Sequence, residues 1–462
     1  MTDRASRSFD TGRAAFHNRS TPASARAVGR VAEAAASAGA CEDPAMRPRA
    51  TLLETRGFRN VLDMPPVENP IRLGVAGLGH RAVGNVLPKA MAYDDYRLAA
   101  VCEVREELLE TVRADLRSRH GLDVPGYTDF DRMIAGEELD AVAVVIDPDK
   151  QVPLACRAME AGLHVMMEVP TAYTIEDCWR LVTAVERTGR VFLLMEQSRY
   201  AGRVQAWRQI VQTGVIGKPV FVEGEYFGHK PDAYFQDARG RFYTPEQAAR
   251  RPEARPAWRQ LVPTITYLPH ELSPLLYVID DRVARVVGMS TRSPSYNYPN
   301  LNKADIQAAL MHTEKDVVMR MAVGHSTAAF DRGGTNHWHH IKGTVGVLET
   351  RRAPYESDKL WVDGWHLEAP LAVPWSHKRT DAPPEAAGSG HGDMDYYTFA
   401  YFADAVLRGE PIEFDVYRAV ETAAPAILAA RSIEEGNVPL DVPDFRPGPH
   451  RKPGEPPRGV TL

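Results

Sequence analysis

The chain has 462 residues, 44% of them hydrophobic, and a formal net charge of −6. Such a length supports at least two cores, since a single core stops growing near about 250 to 300 residues. The mild acidity and the lack of a long Lys/Arg run argue against nucleic acid as a partner, and no stretch of about eighteen apolar residues offers a membrane span.

The four cysteines, Cys41, Cys102, Cys156 and Cys178, are scattered without CxxC spacing, which reads as structural thiols in a reducing compartment. Residues 1–68 are rich in Arg, Ala, Ser and Pro and are expected to form a flexible arm. The opening lacks the charged-then-apolar order of a secretory signal, so the expected location is cytoplasmic.

Order is expected to begin at Ile71. The run IRLGVAGLGHRAVGNVL is an apolar strand, a glycine cluster and a helix entry, the context a dinucleotide fingerprint requires. Gly77 permits a tight turn, Gly79 lets the backbone approach a pyrophosphate, and Ala82 lets the helix pack on the strand. A second strand, RLAAVCEV, contains Glu103 near its end, where a carboxylate accepts hydrogen bonds from ribose hydroxyls and repels a 2′-phosphate. NAD is therefore expected over NADP, although Arg81 and Arg105 are placed to approach a 2′-phosphate. A glycine turn that holds no nucleotide is the plainer alternative, disfavoured because the loop and the acid occur together.

Five further segments follow: LDAVAVVI, VPLACRAMEAG, LHVMMEV, TIEDCWRLVTAVERTG and RVFLLMEQ alternate apolar strands with amphipathic helices. This pattern predicts a doubly wound parallel sheet covered on both faces, a Rossmann domain over 69–198, with Thr174 as a helix N-cap and Gly189 as a stop. Asp147-Pro148, Glu168-Val169-Pro170 and Glu196-Gln197 then fall on the ligand-binding edge.

HVMMEVPTAYTIEDCW resembles the Gfo/Idh/MocA oxidoreductases, in which a Glu-Lys-Pro motif closes the nucleotide-binding domain; here Val169 replaces the lysine. A branch with Glu-Val-Pro at that point, the NAD-dependent glycoside hydrolases of the α-N-acetylgalactosaminidase type, is closer still. The similar pieces are EVPTAYTIEDCW, MEQSRY, EGEYFGH, the pair Trp258-Arg259, YLPHELSP, GHGDMD and the final DVYRAVETAAPAILAARSIEEGNVPLDVPDF, spanning roughly 70–445. The resemblance implies that NAD oxidises sugar C3, that the glycosidic bond leaves by elimination, and that water addition and re-reduction follow.

Carried over by position, the resemblance implies that His80, Arg81, Glu103, Gln151, Glu168, Val169 and Gln197 line the cofactor. It implies that Tyr226, Arg259 and the run Tyr267–His270 hold the substrate, with Tyr267 also near the nicotinamide. Departures are Gln151 where the branch has His, Leu268-Pro269 in the Tyr267–His270 motif, and a longer charged segment between Tyr226 and Trp258.

The second half reads as short alternating segments bounded by Gly, Pro and Asn, which predicts an α+β domain over 199–445 with a large, mainly antiparallel open sheet. The helices DYYTFAYFADAVLRG and YRAVETAAPAILAARSIEEG are expected to pack back on the first domain, leaving 446–462 as a tail. Hydride chemistry needs a base at the carbinol proton, and His270 and Tyr267 are the leading candidates, with Tyr200 and His229 behind them. The paired acids Glu168 and Glu196 are assigned to cofactor contact.

His337 and His339, alternating on a strand with His325 or His391 as a third ligand, raise a metal reading that the missing carboxylate and Cys spacing disfavours. The expected substrate is a sugar or glycoside and the expected state a homo-oligomer. A net sugar or cyclitol dehydrogenase and a non-catalytic nucleotide sensor are the alternatives.

Overall fold

The computed structural model describes residues 68–230, 232, 234–328 and 336–460; the expected N-terminal arm lies outside these residues apart from Glu68. Six parallel strands form the first sheet in the order β3-β2-β1-β4-β5-β6: β1 (Ile71–Ala76), β2 (Tyr96–Cys102), β3 (Gly126–Tyr127), β4 (Ala141–Val144), β5 (His164–Met167) and β6 (Phe192–Leu194). Every residue of β4 and β6 is buried, because helices cover both faces and no alternation with water is possible.

Those helices are α1 (Leu87–Ala92), entered through a π-turn at Ala82–Val86, then α2 (Glu106–His120), α3 (Phe130–Gly136), α4 (Pro148–Glu160) and α5 (Ile175–Thr188). Thr174 Oγ1 accepts from Asp177 N at 3.0 Å and caps α5, which stops at Gly189 with φ +62°. The strand order reverses between β1 and β4, so a crevice opens at their carboxyl ends beside the glycine loop.

Helix α6 (Gly202–Gln212) leads to β7 (Pro219–Phe227). A three-stranded sheet, β8 (Phe235–Gln236), β9 (Phe242–Tyr243) and β10 (Arg255–Pro256), with the short α7 (Pro245–Ala248), occupies the long charged segment. After α8 (Trp258–Leu261) and α9 (Pro269–Ile279) come β11 (Val283–Ser290), β12 (Gln307–Thr313), β13 (Val318–Gly324), β14 (His337–Gly343), β15 (Gly346–Glu349), β16 (Asp358–Val362) and β17 (Leu371–Val373). Helices α10 (Asp395–Arg408) and α11 (Val416–Glu434) and strand β18 (Leu440–Asp441) end the described elements.

The second sheet has nine strands in the order β17-β16-β15-β14-β7-β13-β12-β11-β18. All pairings are antiparallel except β7 with β13. Strand β12 alternates buried and exposed residues, with Leu310 on the open face, as a sheet covered on one side does.

Helix α11 joins the two halves. Val416, Val420 and Ala423 pack into the core of the first sheet, whereas Ala426, Leu428 and Ala429 enter the core of the second. Thr171 Oγ1 donates to Ala419 O at 3.1 Å, tying the turn after β5 to that helix. The segment beyond Phe445, expected as a tail, is fastened instead: buried Arg451 donates to Glu186 at 2.6 and 2.9 Å.

Candidate active site

The glycine loop follows β1 directly. Gly77 takes φ +91°, and a Cβ there would lie 2.2 Å from Val145 O, so both conformation and space demand glycine. A Cβ on Gly79 would meet nothing within 4 Å: the loop presents bare backbone to an open cradle, the shape a pyrophosphate requires. Ala82 is fully buried at the start of the π-turn, and His80 stands exposed beside the cradle.

Glu103, expected to receive ribose hydroxyls, is filled by protein donors. Its carboxylate accepts from Leu78 N at 3.0 Å, Arg105 N at 3.1 Å and Arg105 Nε at 2.9 Å. Burial opposes its charge, but these donors hold its pKa below the ordinary carboxylate value. A ribose would have to displace Arg105. The charged segment reaches the same edge, where Arg239 Nε lies 2.9 Å from Glu107.

Arg81 spans the two halves, with Nε 3.1 Å from Glu168 and Nη2 3.3 Å from Asp395 at the start of α10. Asp395 also accepts from Asn85 at 2.7 Å and pairs with His391 Nδ1 at 2.7 Å. Burial works against this carboxylate, yet the hydrogen bond from His391 and the charge of Arg81 bring it down to about 2. Glu168 is thereby occupied by Arg81. Gln151 lies fully buried and donates to Pro170 O at 3.1 Å, bracing the turn that carries Val169. Gln197 is buried at the end of β6.

Behind this edge stands the aromatic cluster of the second half. Tyr226 on β7 stacks on His337 at 4.2 Å and meets His270 edge-on at 5.9 Å, while Tyr267 lies 6.2 Å from His270 and stacks on Trp258 at 5.5 Å. Arg259 Nε donates to the Tyr267 hydroxyl, and Lys230 Nζ to the Tyr226 hydroxyl at 2.5 Å. Tyr226, Arg259, Tyr267 and His270 are thus brought together. Tyr200 is not: its ring packs with Tyr397 and Tyr401 in a buried aromatic group, with no described contact to His270. His229 sits exposed and bonds Tyr298 at 3.0 Å, on the rim.

Glu196 is the principal correction to the sequence reading. Rather than facing a cofactor, its fully buried carboxylate forms an ion pair with His270 Nδ1 and accepts from Ser198 N at 2.7 Å. Burial disfavours a charged imidazole, but the Glu196 charge and hydrogen bond overcome it, so His270 titrates above its ordinary value and Glu196 below.

His337 and His339, weighed as metal ligands, have a protein partner. Buried Glu271 pairs with His337 Nδ1 and with His339 Nε2, the latter at 2.6 Å. Burial raises the Glu271 pKa, but the two histidines bring it to about 2; burial also keeps His339 below its ordinary value, so a neutral imidazole donates to an ionised carboxylate. Adjacent sequence position to His270 was the one local signal for Glu271. Lys230, Lys303 and Tyr173, which also border the cluster, carried none.

Residues 71–196 match the model of an oxidoreductase family with an NAD-binding Rossmann fold, and residues 200–452 match that of the glycosyl hydrolase 109 C-terminal domain. A glycosyl hydrolase family 109 protein of Saccharopolyspora erythraea is 27% identical over 406 residues, covering 82% of this chain and 84% of that protein. An alpha-N-acetylgalactosaminidase of Bacteroides fragilis is 26% identical, covering 83% and 93%. Among solved structures, an aldose-aldose oxidoreductase of Caulobacter crescentus superposes with a TM-score of 0.61 at 17% identity, covering 81% of this chain and all of that one. An oxidoreductase of Agrobacterium radiobacter, solved with NAD+, L-tartaric acid and magnesium, gives 0.59 at 16%, covering 81% and 98%. At such identities the structural likeness is one of fold.

Proposed function

The chain belongs to glycosyl hydrolase family 109, with an oxidoreductase-family NAD-binding half followed by that family's C-terminal domain, and on that premise we propose a specific division of labour in an enzyme that oxidises a ring carbinol of a glycoside. The site residues fit a dinucleotide: a bare glycine loop at Gly77 and Gly79, a helix entry at Ala82, and the Arg81–Glu168 pair beside the cleft. NAD held there supplies a reversible hydride acceptor.

His270 Nε2 takes the carbinol proton, and the buried Glu196 carboxylate orients the ring and stabilises the imidazolium. Arg259 and Lys230 fix the hydroxyls of Tyr267 and Tyr226, which then hold sugar oxygens. Val169 supplies no proton carrier, so the role falls to His270. A ketone at C3 acidifies the C2 proton; its loss expels the glycosidic oxygen, which leaves as the alcohol, water then adds across the C1–C2 double bond, and return of the hydride restores the carbinol.

The observation that carries this reading is the ion pair of His270 with buried Glu196 beside the rings of Tyr226 and Tyr267. The expected cofactor is NAD rather than NADP, because Glu103 neutralises Arg105 at the ribose end. Exposed Met289, Leu310 and Val318 on the large sheet support a homo-oligomer, to be checked by light scattering. The decisive test identifies the nucleotide released on denaturation and screens p-nitrophenyl glycosides with and without NAD. Nitrophenol release without net NADH selects the recycling enzyme. NADH accumulation on free polyols selects a net dehydrogenase instead.

A further inference from the structure

Several part-buried arginines in this protein are matched by carboxylates. Arg199 pairs with Glu413, Arg282 with Asp444, Arg446 with Glu421 and Arg451 with Glu186. The candidate substrate cleft gathers cations of the other kind. Arg259, Lys230 and Lys303 converge there, and among the described residues none of the three forms an ion pair with a carboxylate.

Their partners are neutral oxygens. Arg259 donates to the Tyr267 hydroxyl, Lys230 to the Tyr226 hydroxyl at 2.5 Å, and buried Lys303 to the carbonyls of Arg259, at 2.7 Å, and Val262. The cleft carboxylates are already committed: Glu196 to His270, Glu168 to Arg81 and Glu271 to His337 and His339. Asp232, exposed on the next turn, acts on Lys230 without an ion pair. His325, which packs edge-on against both Tyr226 and Tyr267 at 4.9 Å, is buried with its Nε2 unpartnered among the described residues.

Gathering like charges in a half-buried pocket is costly unless an anion arrives to balance them. Burial and the charge of Arg259 lower the pKa of Lys230 to about 8 and of Lys303 to about 7, the signature of cations lacking a counter-charge. These cations lie against Tyr226 and Tyr267, with Lys230 also acting on His270, in the cluster proposed to hold the sugar.

We propose that the sugar recognised here carries an anionic substituent, a carboxylate or a sulfate ester, seated between Lys230 and Arg259 with Lys303 fixing the Arg259 backbone. This inference rests on the proposed sugar chemistry of the same cleft and narrows its substrate class. Neutral hydroxyls satisfy Tyr226 and Tyr267 equally well, but an anion also balances the charges of Arg259 and Lys230.

The test is calorimetric titration of the full chain, saturated with NAD, with methyl glucuronides and galacturonides of both anomers, the matching hexosides and their 6-sulfates. The expected result is at least one charged glycoside binding about tenfold or more tighter than its neutral counterpart, a margin that shrinks between about 50 and 300 mM salt. A carboxylate winning over a sulfate, or the reverse, identifies the substituent. Lys230→Gln, on a part-exposed side chain, should lose most of the margin, whereas Lys303→Met is avoided because it removes the donor to two backbone carbonyls.

Equal binding of charged and neutral glycosides, or binding of none that is charged, overturns the inference. So does a Lys230→Gln or Arg259→Gln variant whose main loss is affinity for NAD, since the cations would then serve the dinucleotide. Failure of the proposed hydride chemistry shows separately, as absent NAD binding or no turnover of any glycoside, while the charge preference in binding stands or falls alone.

Discussion

His270, at the start of α9, forms its Nδ1 ion pair with the carboxylate of Glu196, which follows strand β6 of the other half, so the proposed base is assembled across the two sheets. The pair is buried, and its proton equilibrium is set by the contact rather than by solvent.

A neutral His270 is needed to accept a proton, so activity should rise with pH through its elevated pKa. In Glu196→Gln the partner that raises this pKa is gone, and the acid limb of kcat/KM should move to lower pH. His270→Ala should cost about 10² to 10⁴ in kcat. A pH–rate profile of Glu196→Gln whose acid limb stays in place would falsify the coupling.

Gly77 and Gly79 should behave oppositely. Gly77→Ala forces a Cβ onto Val145 O at a positive φ and should lower the melting temperature, with a cost above about 2 kcal/mol. Gly79→Trp projects into open space, so the fold should change by under about 0.5 kcal/mol while dinucleotide affinity collapses. Thermal unfolding together with NAD titration separates the two effects; unaltered NAD binding by Gly79→Trp would sink the cradle assignment.

Glu103 decides the phosphate preference. Removing its charge in Glu103→Gln frees Arg105 from its carboxylate partner, and the ratio of NADP to NAD affinity should climb by about tenfold or more. The two dissociation constants, measured side by side, check this.

Glu271 links pH to stability. Its folded pKa is depressed from 4.5 to about 2, so its contribution is fully present above about 4.5 and is lost as pH falls toward 2. Glu271→Gln leaves His337 and His339 without their ionised partner and should destabilise the protein by about 3 kcal/mol at neutral pH. In the variant, the fall in melting temperature between pH 5 and about 3 should flatten relative to the parent.

The parallel sheet, the glycine loop, the cap at Thr174 and the closing helices were legible in the chain, because burial on both faces and local backbone demands leave marks within a few residues of one another. Glycine at 77 is dictated by its own φ and by the adjoining strand, and the apolar run at 141–144 by complete burial. Membership of Tyr226, Arg259, Tyr267 and His270 in one site came from ordered motifs. Their grouping became physical only with α9 packed on β7.

Charge pairing was settled by the tertiary structure alone. Glu196 looked like a cofactor ligand at a strand end and is the partner of His270, whereas Tyr200 looked catalytic and is packed with Tyr397 and Tyr401. Arg105 closes on Glu103, and Lys303 reaches the carbonyls of Arg259 and Val262 from a loop far along the chain. Sequence periodicity records which face of an element is dry, because that is a short-range property of helix and strand. Which cation meets which carboxylate depends on how separate elements are brought together, and no local pattern encodes that distance.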